Sequence, residues 1–311
     1  ILFEKDIKAN KEDLVSTFGT DAPEGGQFGM SLNDIVDNIN ANLKLIDNWD
    51  SVQQYYGHSE NAIIVSGGFS IDFDKIKELQ KETNAKIICV KHSYPKLLDA
   101  GIKPWGCVIL DPRTIEGEST HGIVRKSLFE NIDPSTKFFI ASMTEPSVTE
   151  YIIERTSNVY GWHAYSEAIK NRISNKDDYE EEEQIKIPDD VTFVTGGTCA
   201  AMRAIGMLHI FGFRNFHLFG FDCSVPDISE KEQKETLFDG KVKYMKVEIN
   251  EKEFWTTGEL LAMAQDCEQL FDAPQIDMNV EFYAKHNTLA QEVYSSSRHG
   301  NKKYYSSTFN S

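Results

Sequence analysis

The chain has 311 residues and is 40% hydrophobic, enough for one large α/β domain with extensions or for two small domains. A net charge of −17 and an isoelectric point near 4.9 argue against a binder of duplex nucleic acid, which needs a basic face. A small anionic ligand remains compatible, because a few local cations and backbone amides suffice to hold one. No apolar run reaches the roughly 18 residues of a membrane span, so none is expected. Five scattered cysteines (Cys89, Cys107, Cys199, Cys223, Cys267) include no CxxC pair. They read as free thiols in a reducing, cytoplasmic setting and not as a zinc site.

Residues 1–30 are polar, and glycine-rich around Gly25-Gly26-Gln27-Phe28-Gly29, which predicts an arm or extended loop. Ser31-Leu32-Asn33-Asp34 has the form of a capping box with Asp in place of the usual Glu. Leu32, Ile35, Val36, Ile39, Leu43 and Ile46 then recur at helical spacing, so a helix packs on the main domain from there. From Asn61 short apolar strands alternate with amphipathic helices. The strands fall at 62–66, 86–90, 107–110, 137–141, 157–161, 191–195 and 215–219, the helices at 73–83, 94–100, 121–130, 146–155, 164–173 and 198–211. This alternation predicts an α/β, Rossmann-like fold with a mostly parallel sheet, right-handed crossovers and helices on both faces. The acidic run within 175–190 reads as a solvated loop. Residues 240–256 read as a hairpin with Gly240 at a turn, Thr257 as the cap of a helix at 258–271, and 278–283 as a strand. The tail from 291 is polar and aperiodic, an arm. The expected organisation is an N-terminal arm and helix over 1–58, a nucleotide-binding transferase domain over 59–290 and a polar tail over 291–311.

Two glycine turns carry the functional signal. Ser66-Gly67-Gly68-Phe69-Ser70 follows the first strand, and Thr195-Gly196-Gly197-Thr198 lies between a later strand and its helix. Glycine permits close backbone approach to a ligand, and amides at a helix N-terminus meet an anion. Either string alone also describes a plain tight turn; the repetition predicts a nucleotide or phosphate-ester site. Further candidates stand where strands end, at the ligand edge of an open parallel sheet. Lys91 and His92 follow the second strand, as a cation for phosphate and a proton shuttle, or as an ordinary surface pair. Asp111 closes the third, placed for a ribose, metal or acceptor contact or for a turn cap. Ser142, Thr144 and Glu145 either meet a ligand or cap the next helix. His163, in Tyr160-Gly161-Trp162-His163-Ala164-Tyr165, and His286, after the last strand, are additional bases, the aromatics beside His163 suiting a ring ligand or plain core packing. Asp222 lies just past the strand at 215–219, and His209 and His217 read as structural. GxSxG, HExxH, P-loop and GxGxxG strings are absent, which weakens serine hydrolase, zincin and P-loop readings.

Three stretches together, Ile63–Ser70, Gly101–Pro112 and Thr195–Ser224, resemble the motility accessory factor family, which shares a domain with archaeal 6-hydroxymethyl-dihydropterin diphosphokinases. The wider pattern is similar to bacterial CMP-sialic acid transferases, and Phe254–Phe271 fits too, so the resemblance covers roughly residues 60–290. Phe69 stands where the family's first turn usually carries proline, and Asp111 stands alone where the pterin kinases carry a denser aspartate cluster. The resemblance implies a glycosyltransferase-like enzyme that moves a nonulosonic-acid-type sugar from a CMP-sugar donor to a hydroxyl acceptor, a glycan or a protein Ser/Thr. Ser66, Gly67, Gly68, Ser70, Thr195, Gly196, Gly197 and Thr198 would hold ribose and phosphate, with Asp111 alongside. His92, His163 or His286 would take the acceptor proton near Asp222, and Lys91 with backbone amides would stabilise the leaving phosphate without a metal or further cofactor. The alternatives are an ATP- and Mg²⁺-dependent diphosphokinase acting on a pterin-like alcohol, or a non-catalytic assembly protein that keeps the fold. The terminal arms offer a route to a homo-oligomer.

Overall fold

The computed structural model describes residues 31–49, 60–115, 123–181, 184–187, 191–197, 199–226, 244–272, 278–296 and 304–306. The predicted arm over 1–30, Thr198, the first part of the predicted hairpin with Gly240 and most of the C-terminal tail lie outside the described residues.

Helix α1 (Leu32–Leu45) begins with the predicted capping box: Ser31 accepts from the Asp34 amide while the Asp34 carboxylate accepts from Ser31. Its Ile35, Val36 and Ile39 are buried. Asn42, also buried, donates to the carbonyls of Ser142 (2.8 Å) and Thr144 (2.5 Å), which ties the helix to the loop at 142–145. The elements that follow are β1 (Asn61–Val65), α2 (Phe73–Thr83), β2 (Lys86–Val90), α3 (Tyr94–Asp99), β3 (Gly106–Ile109), β4 (Lys137–Ala141), α4 (Pro146–Ile153), β5 (Val159–Ala164), α5 (Glu167–Ser174), β6 (Phe193–Val194), α6 (Ala200–Phe211), β7 (Asn215–Phe219), β8 (Tyr244–Ile249), β9 (Lys252–Thr257), α7 (Gly258–Asp272), β10 (Asn279–Ala284), α8 (Leu289–Ser296) and β11 (Tyr304–Ser306).

The fold is the Rossmann-like α/β class expected. Strands pair in parallel in the order β11-β10-β7-β1-β2-β3-β4-β5-β6, and β8 and β9 form a separate antiparallel pair. The strands are near-continuous apolar runs because both of their faces are covered. Ile64, Ile88, Val108 and Phe139 join one core with α1, α6 and α7; Ile63, Ile87, Cys107 and Phe138 join the other with α2, α3 and α4. The chain winds one way from β1 through β6, then crosses back so that β7 pairs with the opposite edge of β1. A crevice opens where the order reverses, outside the carboxyl ends of those two strands.

Three local expectations change. Over 123–130, the described part of the helix expected at 121–130, the chain forms a single 3₁₀ turn, Lys126–Leu128, because Val124 N donates to Thr114 O and ties it to a neighbouring loop. The hairpin turns at Asn250-Glu251, both with left-handed φ (49° and 64°), the geometry that two-residue hairpins favour. Residues 291–296 are helical, with Val293 and Tyr294 buried, so the arm expected from 291 starts as a packed element. Among the described residues, no helix is long and apolar enough to cross a membrane.

Candidate functional site

A cleft of about 500 Å³ occupies the switch point between β1 and β7. The Ser66–Phe69 loop forms one lip and Gly220–Pro226 the other. The ends of β2 and β3 contribute Lys91, His92, Asp111 and Arg113, while Met202 of α6 and Met263 of α7 give the interior a mostly apolar lining. The far lip is stitched in place: Thr256 Oγ1 donates to Cys223 O (2.8 Å), Val225 N to Trp255 O (2.8 Å) and Ala290 N to Asp222 O (3.2 Å).

The polar side of the cleft is organised around Asp111. Its carboxylate is buried, touches the Lys91 ammonium, and accepts a bidentate pair from Arg113, Nε to Oδ1 at 2.9 Å and Nη2 to Oδ2 at 2.8 Å. The Arg113 amide also donates to Oδ1 (3.0 Å), the local turn that an aspartate two residues ahead favours. The Arg113 guanidinium and the Lys91 amine thus converge on one carboxylate. Burial, and then the Arg113 guanidinium, push the Lys91 ammonium down to about 7. Desolvation and the cations Lys91, Arg113, Lys96 and Arg125 push the His92 imidazole down to about 4, so it is neutral near pH 7. Sequence reasoning passed over Arg113; the Asp-Pro-Arg string after an apolar strand was the signal, since arginine two residues beyond a carboxylate can fold back onto it.

Contrary to the expectation from sequence, the described residues of the two glycine turns do not line one shared cleft. Gly68 N donates to Gly220 O (3.0 Å), and Phe69 N and Ser70 N donate to Asp222 Oδ2 (2.6 and 2.9 Å), with Ser70 Oγ on Oδ1. Asp222 is therefore a buried tie between the two lips and not a base facing solvent, although burial raises its pKa. Ser70 and Gly68 are engaged in the same tie; a Cβ on Gly68 would lie 2.4 Å from Gly220 O and 2.5 Å from the Asp222 carboxylate. Ser66 and Gly67 line the cleft, and the Gly67 amide has no hydrogen bond among the described residues. Thr195, Gly196 and Gly197 of the second turn are not among the lining residues. A Cβ on Gly196 would meet Met202 O at 2.6 Å, one on Gly197 the Asp266 carboxylate at 2.7 Å, and one on Gly206 of α6 would meet Thr195 O at 2.4 Å. Those glycines let strand and helices approach closely, and Cys199, at the start of α6, lines the cleft.

His163 is not in the cleft. It stacks on Trp49 (4.6 Å between centroids, 10° between planes) and packs against Phe193, and burial pushes it down to about 4. His286 lies on the rim beside Phe69, their rings stacked at 6.3 Å. Ser142 and Thr144 offer their carbonyls to Asn42, and Glu145 caps α4 by accepting from Ser147 N (2.9 Å), so none of the three faces the cleft. No cluster of three His, Cys, Asp or Glu side chains among the described residues is placed to hold a metal ion.

The family described as 6-hydroxymethylpterin diphosphokinase MptE-like matches residues 33–227. No curated protein matches the chain. Among solved structures, the chain is similar to the MAf glycosyltransferase from Magnetospirillum magneticum AMB-1, at 15% identity and a TM-score of 0.49; the overlap covers 81% of this chain and 36% of that one. This chain therefore spans well under half the length of that solved protein.

Proposed function

The chain belongs to the MptE-like family, and we propose that it is a transferase whose cleft holds a nucleotide-activated donor, a CMP-sugar of the nonulosonic-acid type, for attack by a hydroxyl acceptor. The observation that supports this reading is the seating of Lys91, His92 and Arg113 in a cleft at the switch point of a parallel sheet, where ligands of open α/β folds bind. The glycine turns were expected to hold phosphate; in this account side-chain cations take over that task, with Ser66 and the Gly67 amide as additional donors.

In the reaction, the bond from the sugar's anomeric carbon to the phosphate oxygen breaks, and its electron pair stays on the phosphate. Lys91 and Arg113 stabilise that developing charge without proton transfer. The acceptor oxygen bonds to the anomeric carbon, and its proton passes to the neutral imidazole of His92 in the cleft or to His286 at the rim. The Asp111 carboxylate holds both cations in position, so it is a positioning residue.

Calorimetric titration with CMP, CDP and ATP–Mg²⁺ tests the reading. CMP or CDP binds, and Lys91→Ala and Arg113→Ala each weaken it about 10- to 100-fold, the value of a charge-assisted hydrogen bond. Absence of heat with all three ligands contradicts it. A second reading, a diphosphokinase, is favoured by the family's own description and by an apolar lining that suits a flat heteroaromatic alcohol. AMP release from ATP–Mg²⁺ on addition of a hydroxymethylpterin would establish that reading in place of the first.

A further inference from the structure

Beside the cleft lies a second recess of about 760 Å³ that shares Phe69, Ser224, Val225 and Pro226 with it. Its other wall is His286 and the β9 segment up to Trp255. Phe69 is 42% exposed, in contrast to the buried aromatics of both cores, and stacks in near-parallel fashion on His286 (21° between planes). The backbone that carries the ring is held from below: Phe69 N donates to Asp222, and Lys285 N donates to Ser70 O (3.2 Å). The opposite wall is equally fixed by the Val225–Trp255 bridge. The charges around the recess are consumed internally. Lys252 pairs with Glu292 (2.7 Å), and Glu253 with Lys246 (3.0 Å), which also sits 5.3 Å over the Trp255 ring.

A charge-neutral recess lined by the exposed Phe69 ring and the half-buried Trp255, sharing a wall with the cleft that holds Lys91 and Arg113, is a two-substrate arrangement. We propose that this recess is the acceptor site and that it takes a neutral pyranose ring of a glycan. Aromatic faces pack against the C–H face of such a ring, and His286 and Asn287 supply hydrogen bonds to its hydroxyls. The term acceptor rests on the transferase reading; the binding of a neutral sugar does not.

Saturation-transfer NMR with maltotriose, in the absence of nucleotide, tests the proposal. Protein signal passes to the sugar ring protons, and Phe69→Ala and Trp255→Ala each weaken binding about tenfold, with circular dichroism showing that both variants remain folded. Trp255→Ala leaves CMP affinity at the wild-type value. No transfer at about 10 mM sugar, far above the range of a specific site, overturns the proposal, as does binding that both variants leave unchanged. Transfer to a serine-containing tripeptide and not to maltotriose overturns the carbohydrate assignment. Failure of CMP to bind while maltotriose binds contradicts the transferase reading and leaves the recess standing.

Discussion

At Asp222 one buried carboxylate accepts from Phe69 N, Ser70 N and Ser70 Oγ, and so closes the first glycine turn from inside. Asp222→Ala leaves those donors without a partner and lowers stability by about 1–3 kcal/mol; a urea midpoint equal to wild type would refute the tie. The two glycines of the same turn separate packing from ligand contact. Gly68→Ala drives a Cβ into Gly220 O and the Asp222 carboxylate and costs about 1–3 kcal/mol as an overpacked site. Gly67→Ala meets only the His92 Cβ, at 3.5 Å, an ordinary contact, and leaves the midpoint near wild type. Equal losses in the two variants would count against this division. The sequence reads both turns as ligand loops, whereas the contacts at Gly68, Gly196 and Gly197 are made by the protein's own atoms. A missing side chain lets a ligand approach, and it equally lets the protein's own backbone and carboxylates approach; Gly68, Gly196 and Gly197 are of the second kind. Nothing local in the string distinguishes the two, because the atoms that fill the space come from residues far along the chain.

At the scale of the element, the strands with apolar runs on both faces were legible almost to the residue: Lys86–Val90, Lys137–Ala141 and Asn215–Phe219 are as read. β5 was not: it runs three residues further, to Ala164, as Trp162 pairs with Ala141 of β4 and His163 and Ala164 with Phe193 and Val194 of β6, while Gly161 lies under the Trp49 ring and pairs its amide with Asn48 O (2.7 Å). That cover comes from the segment after α1 and cannot be read from the strand itself. It also explains His163. Its Nδ1 has no partner among the described residues, and Trp49 shields it, so the folded protein holds the imidazole neutral down to about 4 while the unfolded chain protonates near 6.5. Between those values the unfolded state binds the extra proton. The contribution is therefore full above pH 6.5 and is lost as pH falls through 4, on the order of 3 kcal/mol in total. Urea midpoints measured from pH 7 to pH 4 fall less steeply in His163→Phe than in wild type; parallel curves would show that the imidazole titrates freely in the fold.

Over the whole molecule, the order of the strands decides where chemistry is possible. Alternating strands and helices announced a parallel sheet, but not which strand returns beside β1. That pairing, β7 on β1, puts the Ser66 and Asp222 loops face to face and opens the cleft between them. It also explains why residues at strand ends fared unequally as candidates. Lys91, His92 and Asp111 belong to strands next to the switch point and line the cleft, whereas His163 ends a strand near the sheet's far edge. The net charge of −17 gives no hint of the cationic patch, because Lys91 and Arg113 are two charges among many. The most direct measurement of the central claim is a crystal structure of the protein soaked with CMP. The account predicts the phosphate between β1 and β7, within hydrogen-bond distance of Lys91 or Arg113, with the Ser66–Gly67 loop alongside and the Asp222 tie intact. CMP bound elsewhere on the molecule, or an unoccupied cleft at a concentration that saturates the protein in solution, would contradict it.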